Sequence, residues 1–448
     1  MNVAVMKTKA EQALTQGFSA IVDKLPGGEA VAEERKRAIG TFAALGLPHR
    51  RIEEWKYTDL RMALREAYEP CLADGAAATT RDLDLALGPL AALDAYRIVF
   101  LDGAFRPELS RVAVAGSFQV RPLSEALANA PNGADLSLAR LSCAEDAIVA
   151  LNTAFMTDGA VLRISDGAEL DKPLLLVFAR AARDKRAFTT RNVVHVGPGA
   201  TATLVEAHVG LAGAAEEAQS NAATEIRVSD GAAATHVKWT AEGGKATHVA
   251  TWVASLGSAA IYRPFQLTTS VGLARHQLFI TFTGEGTKLD LSGAFLARGT
   301  QHIDTTLVVD HAVPRCQSRE LFKGVLDGRA RGVFQGKIIV RPHAQKSDGK
   351  QMAQALMLSE DAEFDSKPEL EILADDVACG HGSTSAEIDP NLIFYCRSRG
   401  IPEAEARALL IEAFIGEAIE KVEDAGLRSA LMDIARGWLQ QGTAAKVA

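Results

Sequence analysis

Short apolar runs separated by turn-forming residues dominate the chain from about residue 160 to residue 395. Examples are residues 174–178 (LLLVF), 192–196 (NVVHV) and 337–340 (KIIV). Runs of this length between Gly, Asp and Ser are typical of β-strands. Amphipathic helices are missing between the runs, and a doubly wound α/β fold requires them for its crossovers. This part of the chain is therefore predicted to be mainly β.

A Gly-Ala turn recurs within the β region. It ends at Ala168, Ala200 and Ala232, which are equally spaced, and later turns end at Ala330 and Ala362, which are separated by the same interval. A turn at a nearly constant period is expected of stacked coils that bury their inner faces on each other. The interval from Ala232 to Ala330 is close to three such periods. We therefore interpret the region as a parallel β-helix or a similar β-solenoid.

Helical patterns precede the β region. Residues 29–45 carry apolar side chains at helical spacing, and Gly46 stands where such a helix ends. Trp55 and Tyr57 follow within a charged segment, either as aromatic rings that pack on the body or as a surface for a partner. A strand is predicted from residue 96, and short helices are predicted near residues 123–130 and 145–155.

A second helical region follows the β region. Pro402 suits the first position of a helix, and a broad apolar stripe runs from Leu409 to Val422. Gly426 is predicted to end this helix, and a second helix follows it. The hairpin either caps the end of the β-helix or docks another protein. Four regions result: an N-terminal helical region (1–95), a mixed connector (96–160), the β-helix (161–399) and a C-terminal helical domain (400–448).

Composition narrows the class of protein. The 448 residues include 48 basic and 56 acidic side chains, a net charge of −8, which argues against a non-specific nucleic-acid binder. The sequence has neither a secretory signal nor an apolar run long enough to span a membrane. Its five scattered cysteines form no CxxC pair, so we expect a reduced, cytoplasmic protein. They are Cys71, Cys143, Cys316, Cys379 and Cys396.

Cys379 and His381 are the strongest candidates for chemistry. They stand two residues apart among glycines, after the carboxylates Asp375 and Asp376. On a strand, residues two apart point to the same face, so sulfur and imidazole nitrogen would lie side by side. That pair suits iron, zinc or thiolate chemistry. A buried thiol beside a hydrogen-bonded histidine is the alternative interpretation.

A second polar group is a candidate metal site. His302 and Asp304 would share a strand face, and His311 follows seven residues later. An imidazole and a carboxylate on one face can ligate a metal or form a hydrogen-bonded couple. The alternative is a solvated face of the solenoid with ordinary hydrogen bonds. Because no nucleotide-binding, metalloprotease or serine-hydrolase motif occurs, we do not expect the chain to hydrolyse ATP by itself.

The C-terminal third resembles the SufB/SufD family of iron–sulfur cluster assembly proteins. The segments that carry the resemblance are residues 321–326, 331–337, 344–348, 367–372, 374–382, 394–400 and 408–414, in the family's order, and residues 54–58 resemble its N-terminal region. Within the family the chain resembles SufD more than SufB, because glycines flank His381 where SufB has acidic residues.

The resemblance implies a right-handed parallel β-helix with helical ends. It implies a complex with a SufB-like subunit, joined through the β-helices, and with a SufC-like ATPase, joined through the C-terminal helices. His381, with Cys379 nearby, would contribute to iron or nascent-cluster binding at the SufB interface. Leu410, Phe414 and Ile415 would belong to the SufC dock. The iron or cluster would be transient and shared with the partner, and flavin is a weaker implication.

These implications lead to a non-enzymatic scaffold subunit as the expected function. Two rival hypotheses are a β-helix enzyme that acts on polysaccharides and a purely structural homodimer. The enzyme would require a groove of carboxylates, arginines and aromatic rings, but aromatic residues make up only 6% of the chain. A homodimer of the isolated chain would not contradict a heteromeric role, because the surface meant for SufB could pair with itself.

Overall fold

The computed structural model describes residues 7–72, 77–112, 116–129 and 146–447, with side chains up to residue 441. Cys143 and the predicted helix ends at Ala130 and Glu145 lie outside the described residues.

The strands form two sheets. Sheet I contains β1 Tyr96–Leu101, β2 Ala104–Phe105, β5 Leu174–Arg180, β7 Thr201–Gly210, β9 Ala233–Ala241, β11 Ile261–Thr268, β13 Lys288–Ala297, β15 Gln317–Leu326, β17 Asp348–Met357 and β19 Ala378–Ala386. Sheet II contains β3 Phe118–Pro122, β4 Ala160–Ile164, β6 Ala187–Val196, β8 Gln219–Val228, β10 Gly243–Leu256, β12 Val271–Phe282, β14 His302–His311, β16 Arg331–Val340 and β18 Glu363–Ile372. From β4 onward, consecutive strands alternate between the sheets, and neighbours within each sheet are parallel. The chain therefore winds into a β-solenoid of about eight coils, which confirms the predicted β-helix.

The coils differ in length. In sheet I, Thr201 pairs with Ala233, Ala233 pairs with Ile261, and Ile261 pairs with Lys288. The first of these steps spans more of the chain than the second, and the second spans more than the third. The nearly constant period that the turns indicate therefore does not hold along the whole solenoid.

Two columns of turns account for the repeated Gly-Ala signal. The turn ending at Ala232 leads from sheet II to sheet I, whereas the turns ending at Ala330 and Ala362 lead from sheet I to sheet II. The equal spacing of the Gly-Ala turns therefore holds only among turns that connect the sheets in the same direction. Similar turns occur in both columns because both must reverse the chain within a few residues.

Alternation along the strands divides apolar residues between the interior and the outer faces. Leu204, Ile226 and Phe282 belong to the core inside the β-helix. Val205, which is next to Leu204, belongs to a second core between sheet I and helices. Each sheet is therefore covered on both faces over much of its length, as parallel sheets require.

Helices flank the solenoid. They are α1 Lys9–Ile21, α2 Glu29–Leu45, α3 Leu60–Ala63, α4 Thr80–Leu87, α5 Leu123–Ala128, α6 Ala147–Phe155, α7 Pro390–Ser398, α8 Glu403–Ile419 and α9 Ala425–Val447. α2 has the predicted bounds, and Gly46 ends it with a φ of 74°, a conformation that favours glycine. α2 packs on α6, which contacts sheet II, and α8 packs on β13 and β15 of sheet I. Within the described ranges, the helices are too short or too polar to cross a membrane.

The two ends of the β-helix differ. At the N-terminal end, β2 pairs antiparallel with β1 and β3 pairs antiparallel with β4. At the other end, β18 and β19 are edge strands whose side chains are mostly half-buried or exposed. The interpretation of the C-terminal hairpin as an end cap is wrong, because α8 and α9 lie along the outer face of sheet I and use their apolar residues there.

Candidate functional site

Cys379 and His381 lie on β19, the last strand of sheet I. Cys379 pairs in register with Gly349, and His381 pairs with Gln351. Gln351 in turn pairs with Glu320, and Glu320 pairs with Leu291, a residue of the interior core. Because register partners point to the same face, Cys379 and His381 belong to the inner face of the final coil. No further coil follows, so His381 is exposed and Cys379 is half-buried.

The residues stacked in register beneath His381 include an unusual carboxyl group. Glu320 is buried, and neither of its carboxylate oxygens has a hydrogen-bond partner among the described residues. Burial raises the pKa of Glu320 to about 8, so its carboxyl group is largely protonated at neutral pH. With strands about 4.8 Å apart, Glu320 lies roughly 10 Å below His381.

The thiol of Cys379 is protonated at neutral pH. Burial raises its pKa, and the carboxylate of Asp348 acts in the same direction. A thiol in this setting becomes a good ligand when an arriving cation displaces its proton.

Two glycines and two carboxylates flank this pair in the chain. A Cβ on Gly382 would lie 2.6 Å from Cε of Met352, whereas a Cβ on Gly380 would contact nothing within 4 Å. Gly380 and Gly382 alternate with Cys379 and His381 and so lie on the outer face, where Gly382 lets Met352 pack against the strand and Gly380 meets open space. The preceding carboxylates do not complete the site, since Asp376 pairs with Lys346.

The described residues place no third metal-ligating side chain beside Cys379 and His381 at ligand distance. Two ligands do not satisfy the tetrahedral sites of iron or zinc. The pair can therefore bind such a metal tightly only with ligands from another chain.

The structure does not bring His302, Asp304 and His311 together as three ligands of one metal site. His302 Nε2 lies 2.8 Å from Oγ1 of Thr58, and the Thr58 hydroxyl also donates to Asp304. Asp304 pairs with Arg275, and both side chains are fully buried. His302 and Asp304 are joined instead through the Thr58 hydroxyl, with Asp304 fully buried and His302 half-buried.

His311 stands apart from this couple. It is nine residues from His302 along β14, which is about 30 Å. His311 Nε2 lies 3.0 Å from the Ser318 hydroxyl, and its ring contacts Phe282 inside the β-helix. It is a buried core histidine.

Trp55 packs on the body, as one of the two alternatives expected, whereas Tyr57 is half-buried. Trp55 is buried, and the guanidinium of Arg275 lies 4.1 Å from the centre of its ring. Arg275 and Gln335 both donate to the carbonyl of Glu54. The segment thus anchors the N-terminal region on sheet II.

The three predicted docking residues on α8 differ in exposure. Ile415 is fully buried against sheet I, so it cannot contact a partner while α8 is packed. Leu410 and Phe414 are half-buried, and the ammonium of Lys323 lies 4.4 Å from the centre of the Phe414 ring. The neighbouring Leu409 is 46% exposed. The accessible apolar face of α8 is therefore formed by Leu409 and Leu410 and does not include Ile415.

The sequence interpretation missed a polar cluster inside the β-helix. It includes Glu206, His208, Lys238, Glu242 and His248, all buried. Burial, with Lys238 nearby, lowers the pKa of His208 to about 3, and burial also lowers the pKa of His248. The alternation of Glu206 and His208 on a strand was a detectable signal, of the same kind as the Cys379 and His381 spacing.

Fold and site together define a class: a β-solenoid protein with helical flanks and an open last coil that presents a thiol and an imidazole. Comparison with known proteins gives the family. Residues 178–414 match the SufBD core domain of the SUF system for FeS cluster assembly, and residues 10–176 match the SufBD protein N-terminal region. The chain belongs to the SufBD family of iron–sulfur cluster assembly proteins.

Individual relatives agree with this membership. An iron-sulfur cluster assembly SufBD family protein of Synechocystis is 31% identical over 414 residues, which cover 90% of this chain and 89% of the relative. The iron-sulfur cluster assembly protein SufD of Escherichia coli is 30% identical over 390 residues, 86% of this chain and 88% of the relative. SufD of Bacillus subtilis is 27% identical over 295 residues, 65% and 66% of the two chains.

Proposed function

We propose that the chain is a non-enzymatic scaffold subunit of a SufB–SufC–SufD-type complex that assembles iron–sulfur clusters in the reducing cytoplasm. Its open coil end joins a SufB-like subunit, and Cys379 and His381 contribute to an iron or nascent-cluster site at that junction. Its C-terminal helices dock a SufC-like ATPase. The flavin implied by the resemblance stays a prediction outside this proposal.

The open end of the β-helix carries the proposal. An edge strand with unpaired main-chain groups invites another strand, and monomeric proteins usually block such edges. Here the edge strand β19 is built from small residues and presents its only thiol and imidazole on the inner face. A second β-helix stacked on this end would continue the sheets and bring its own ligands to His381.

The outward main-chain N–H groups indicate which of the two edge strands, β18 or β19, pairs better with a partner strand. The Ala378 N–H donates to the Ser347 carbonyl, so the N–H groups of Cys379, His381 and alternate residues point to the open edge. In β18 the corresponding outward series includes Pro368, which has no N–H. The open edge of β19 is therefore the more complete template for a partner strand.

The half-site chemistry supports the same assignment. Cys379 and His381 offer one soft and one borderline ligand, which is a suitable combination for iron–sulfur species. Because the chain's own described side chains add no third ligand at this position, the iron or cluster is cargo shared with the partner. ATP-driven rearrangement of the docked helices would change how the two halves meet.

The decisive experiment compares two exposed histidines near the open end. We expect His381→Ala to lower the iron and sulfide content of the purified complex at least tenfold while the subunit composition stays the same. His343→Ala is the matched control, because His343 is also exposed and lies in the turn before β17. Equal iron and sulfide in the two variants would remove His381 from the site. Polysaccharide cleavage by the purified chain would favour the enzyme hypothesis instead.

A further inference from the structure

A cluster of three potential metal ligands lies inside the β-helix, far from the open end. The ligand atoms of His208, Glu242 and His248 all lie within 4.8 Å of one another. His208 belongs to β7, Glu242 to the corner between β9 and β10, and His248 to β10. β7 is six strands from β19 in sheet I, about 29 Å at the usual strand spacing.

The corner brings Glu242 to the two imidazoles. Gly243, next to it, has a φ of 110°, which an L side chain rarely adopts. A Cβ on Gly210 would lie 2.9 Å from the Glu242 carbonyl oxygen, so the glycine in β7 permits this close approach. The Ser220 hydroxyl donates to Oε2 of Glu242 at 2.8 Å, while Oε1 faces Nδ1 of His248 at 3.3 Å.

His248 has no other evident role. It is fully buried, and neither ring nitrogen has a hydrogen bond of normal geometry among the described residues. Leaving a buried polar group without a partner costs about 1–3 kcal/mol. Nε2 of His248 has no partner among the described residues, and Nδ1 faces only Oε1 of Glu242 at 3.3 Å without hydrogen-bond geometry. Most buried polar groups in proteins are satisfied, so this imidazole is a candidate metal ligand.

A small cavity adjoins the cluster. It has a volume of about 20 Å³, and its lining includes His208, Glu242, Ser220 and Phe178. This is room for one water-sized ligand. Phe178 stacks on the His208 ring, with ring centres 4.7 Å apart, and so restricts its orientation. The cavity borders two of the three groups, His208 and Glu242, and can hold a water molecule beside them.

Two buried cations limit the affinity of such a site. Lys238 Nζ lies 3.7 Å from Glu206, and Arg180 Nε lies 3.7 Å from Glu242. Arg180 also donates to the carbonyls of Ala215 and Glu242. These cations balance the two carboxylates, so a dication adds net charge. The bonds from the metal to the neutral imidazoles must offset the free-energy cost of this buried positive charge.

We propose that His208, Glu242 and His248 form an interior binding site for one divalent transition-metal ion of the zinc and ferrous class. Two imidazoles and one carboxylate are a ligand set used for Zn²⁺ and Fe²⁺, whereas Ca²⁺ and Mg²⁺ prefer oxygen ligands throughout. The site uses none of the residues proposed for the shared junction.

Metal titration of the stripped, full-length chain tests the site. We expect one Co²⁺ or Zn²⁺ per chain by calorimetry, with a Co²⁺ absorption spectrum of nitrogen and oxygen ligands and no thiolate charge-transfer band. His248→Gln should weaken binding at least tenfold. His311→Gln, which changes another buried histidine, and His381→Ala should leave it unchanged. Anaerobic titration with Fe²⁺ decides between the two metals.

Several results would overturn the proposal. They are an absence of stoichiometric binding by the wild-type chain, a thiolate band in its Co²⁺ spectrum, or unchanged binding in His248→Gln. If that variant does not fold, Glu242→Gln gives the second test, because the amide can still accept from Ser220. Unchanged metal binding in a folded Glu242→Gln chain would identify the cluster as an ion-pair network only. Failure of the shared junction would leave all these results unaffected.

Discussion

At the scale of single residues, Asp304 shows how a partner distant in sequence decides the role of a polar side chain. The spacing of His302 and Asp304 gives them a common face, and that expectation agrees with their common contact to Thr58. The contact comes from 244 residues away in the chain. Arg275 then neutralises Asp304 and, through its contact with Trp55, joins the N-terminal segment to sheet II.

Replacement of Asp304 should destabilise the fold far more than replacement of Asp310 on the same strand. Asp304→Asn leaves the buried Arg275 without its carboxylate, a change that costs about 3–5 kcal/mol. Asp310 pairs with the more exposed Arg341, and Asp310→Asn should cost at most about 1 kcal/mol. Thermal unfolding of the two variants and the wild type measures the difference. Equal shifts in Tm would show that the Arg275 pair contributes little to the anchoring.

The candidate site was predictable only in part. The two-residue spacing of Cys379 and His381 predicts a shared strand face, and their register with Gly349 and Gln351 agrees with it. The sequence does not say that this face is the interior of a last, uncovered coil. The interior triad escaped prediction because its three members come from two strands and a corner that only the winding of the chain brings together.

At the scale of elements, α8 has apolar residues on more than one side. Ile411, Ile415 and Ile419 pack on sheet I, whereas Leu409 points to solvent. The sequence predicted the helix and its broad apolar stripe correctly. The stripe alone could not show which side of the helix packs on the body and which side faces a partner. The predicted end at Gly426 is wrong, because α9 begins at Ala425.

The start of α9 has a local cause. The Asp424 carboxylate accepts from the Leu427 N–H at 2.7 Å and so caps the new helix. The break between α8 and α9 therefore falls before the glycine. A carboxylate at the N-terminus of a helix is favourable because it accepts from free N–H groups there and lies at the positive end of the helix dipole.

A charge on the exposed side of α8 should separate docking from folding. We expect Leu409→Asp to reduce affinity for a SufC-like ATPase about thirtyfold, the effect of losing a contact worth about 2 kcal/mol. Its Tm should stay close to that of the wild type. Leu85→Asp is the control, since Leu85 is 70% exposed on α4, in the N-terminal region. If the ATPase binds both variants as it binds the wild type, its dock is not on this side of α8.

At the scale of the whole molecule, the β-helix ends in short antiparallel strands on one side and in two parallel edge strands on the other. The short apolar runs between turns predicted the solenoid, and helical regions were predicted before and after it in the chain. The turn period failed because coils of unequal length occur in one solenoid. Neighbouring coils need equal strands but not equal turns, so insertions in the turns change the period without changing the register. The four predicted domain ranges stay a prediction.

The proposed junction predicts that assembly depends on single outward N–H groups of β19. The Ser383 N–H belongs to the series that points away from β17, so Ser383→Pro removes a donor from the open edge without removing a bond inside the chain. We expect Ser383→Pro to fold with a nearly unchanged Tm and to bind a SufB-like subunit at least tenfold more weakly. Ser383→Ala, which keeps the N–H, should bind normally. Light scattering of the isolated chain extends the test to self-association, because a dimer that is lost in Ser383→Pro uses the same edge. If the proline variant binds the SufB-like subunit as tightly as the wild type does, the junction lies elsewhere.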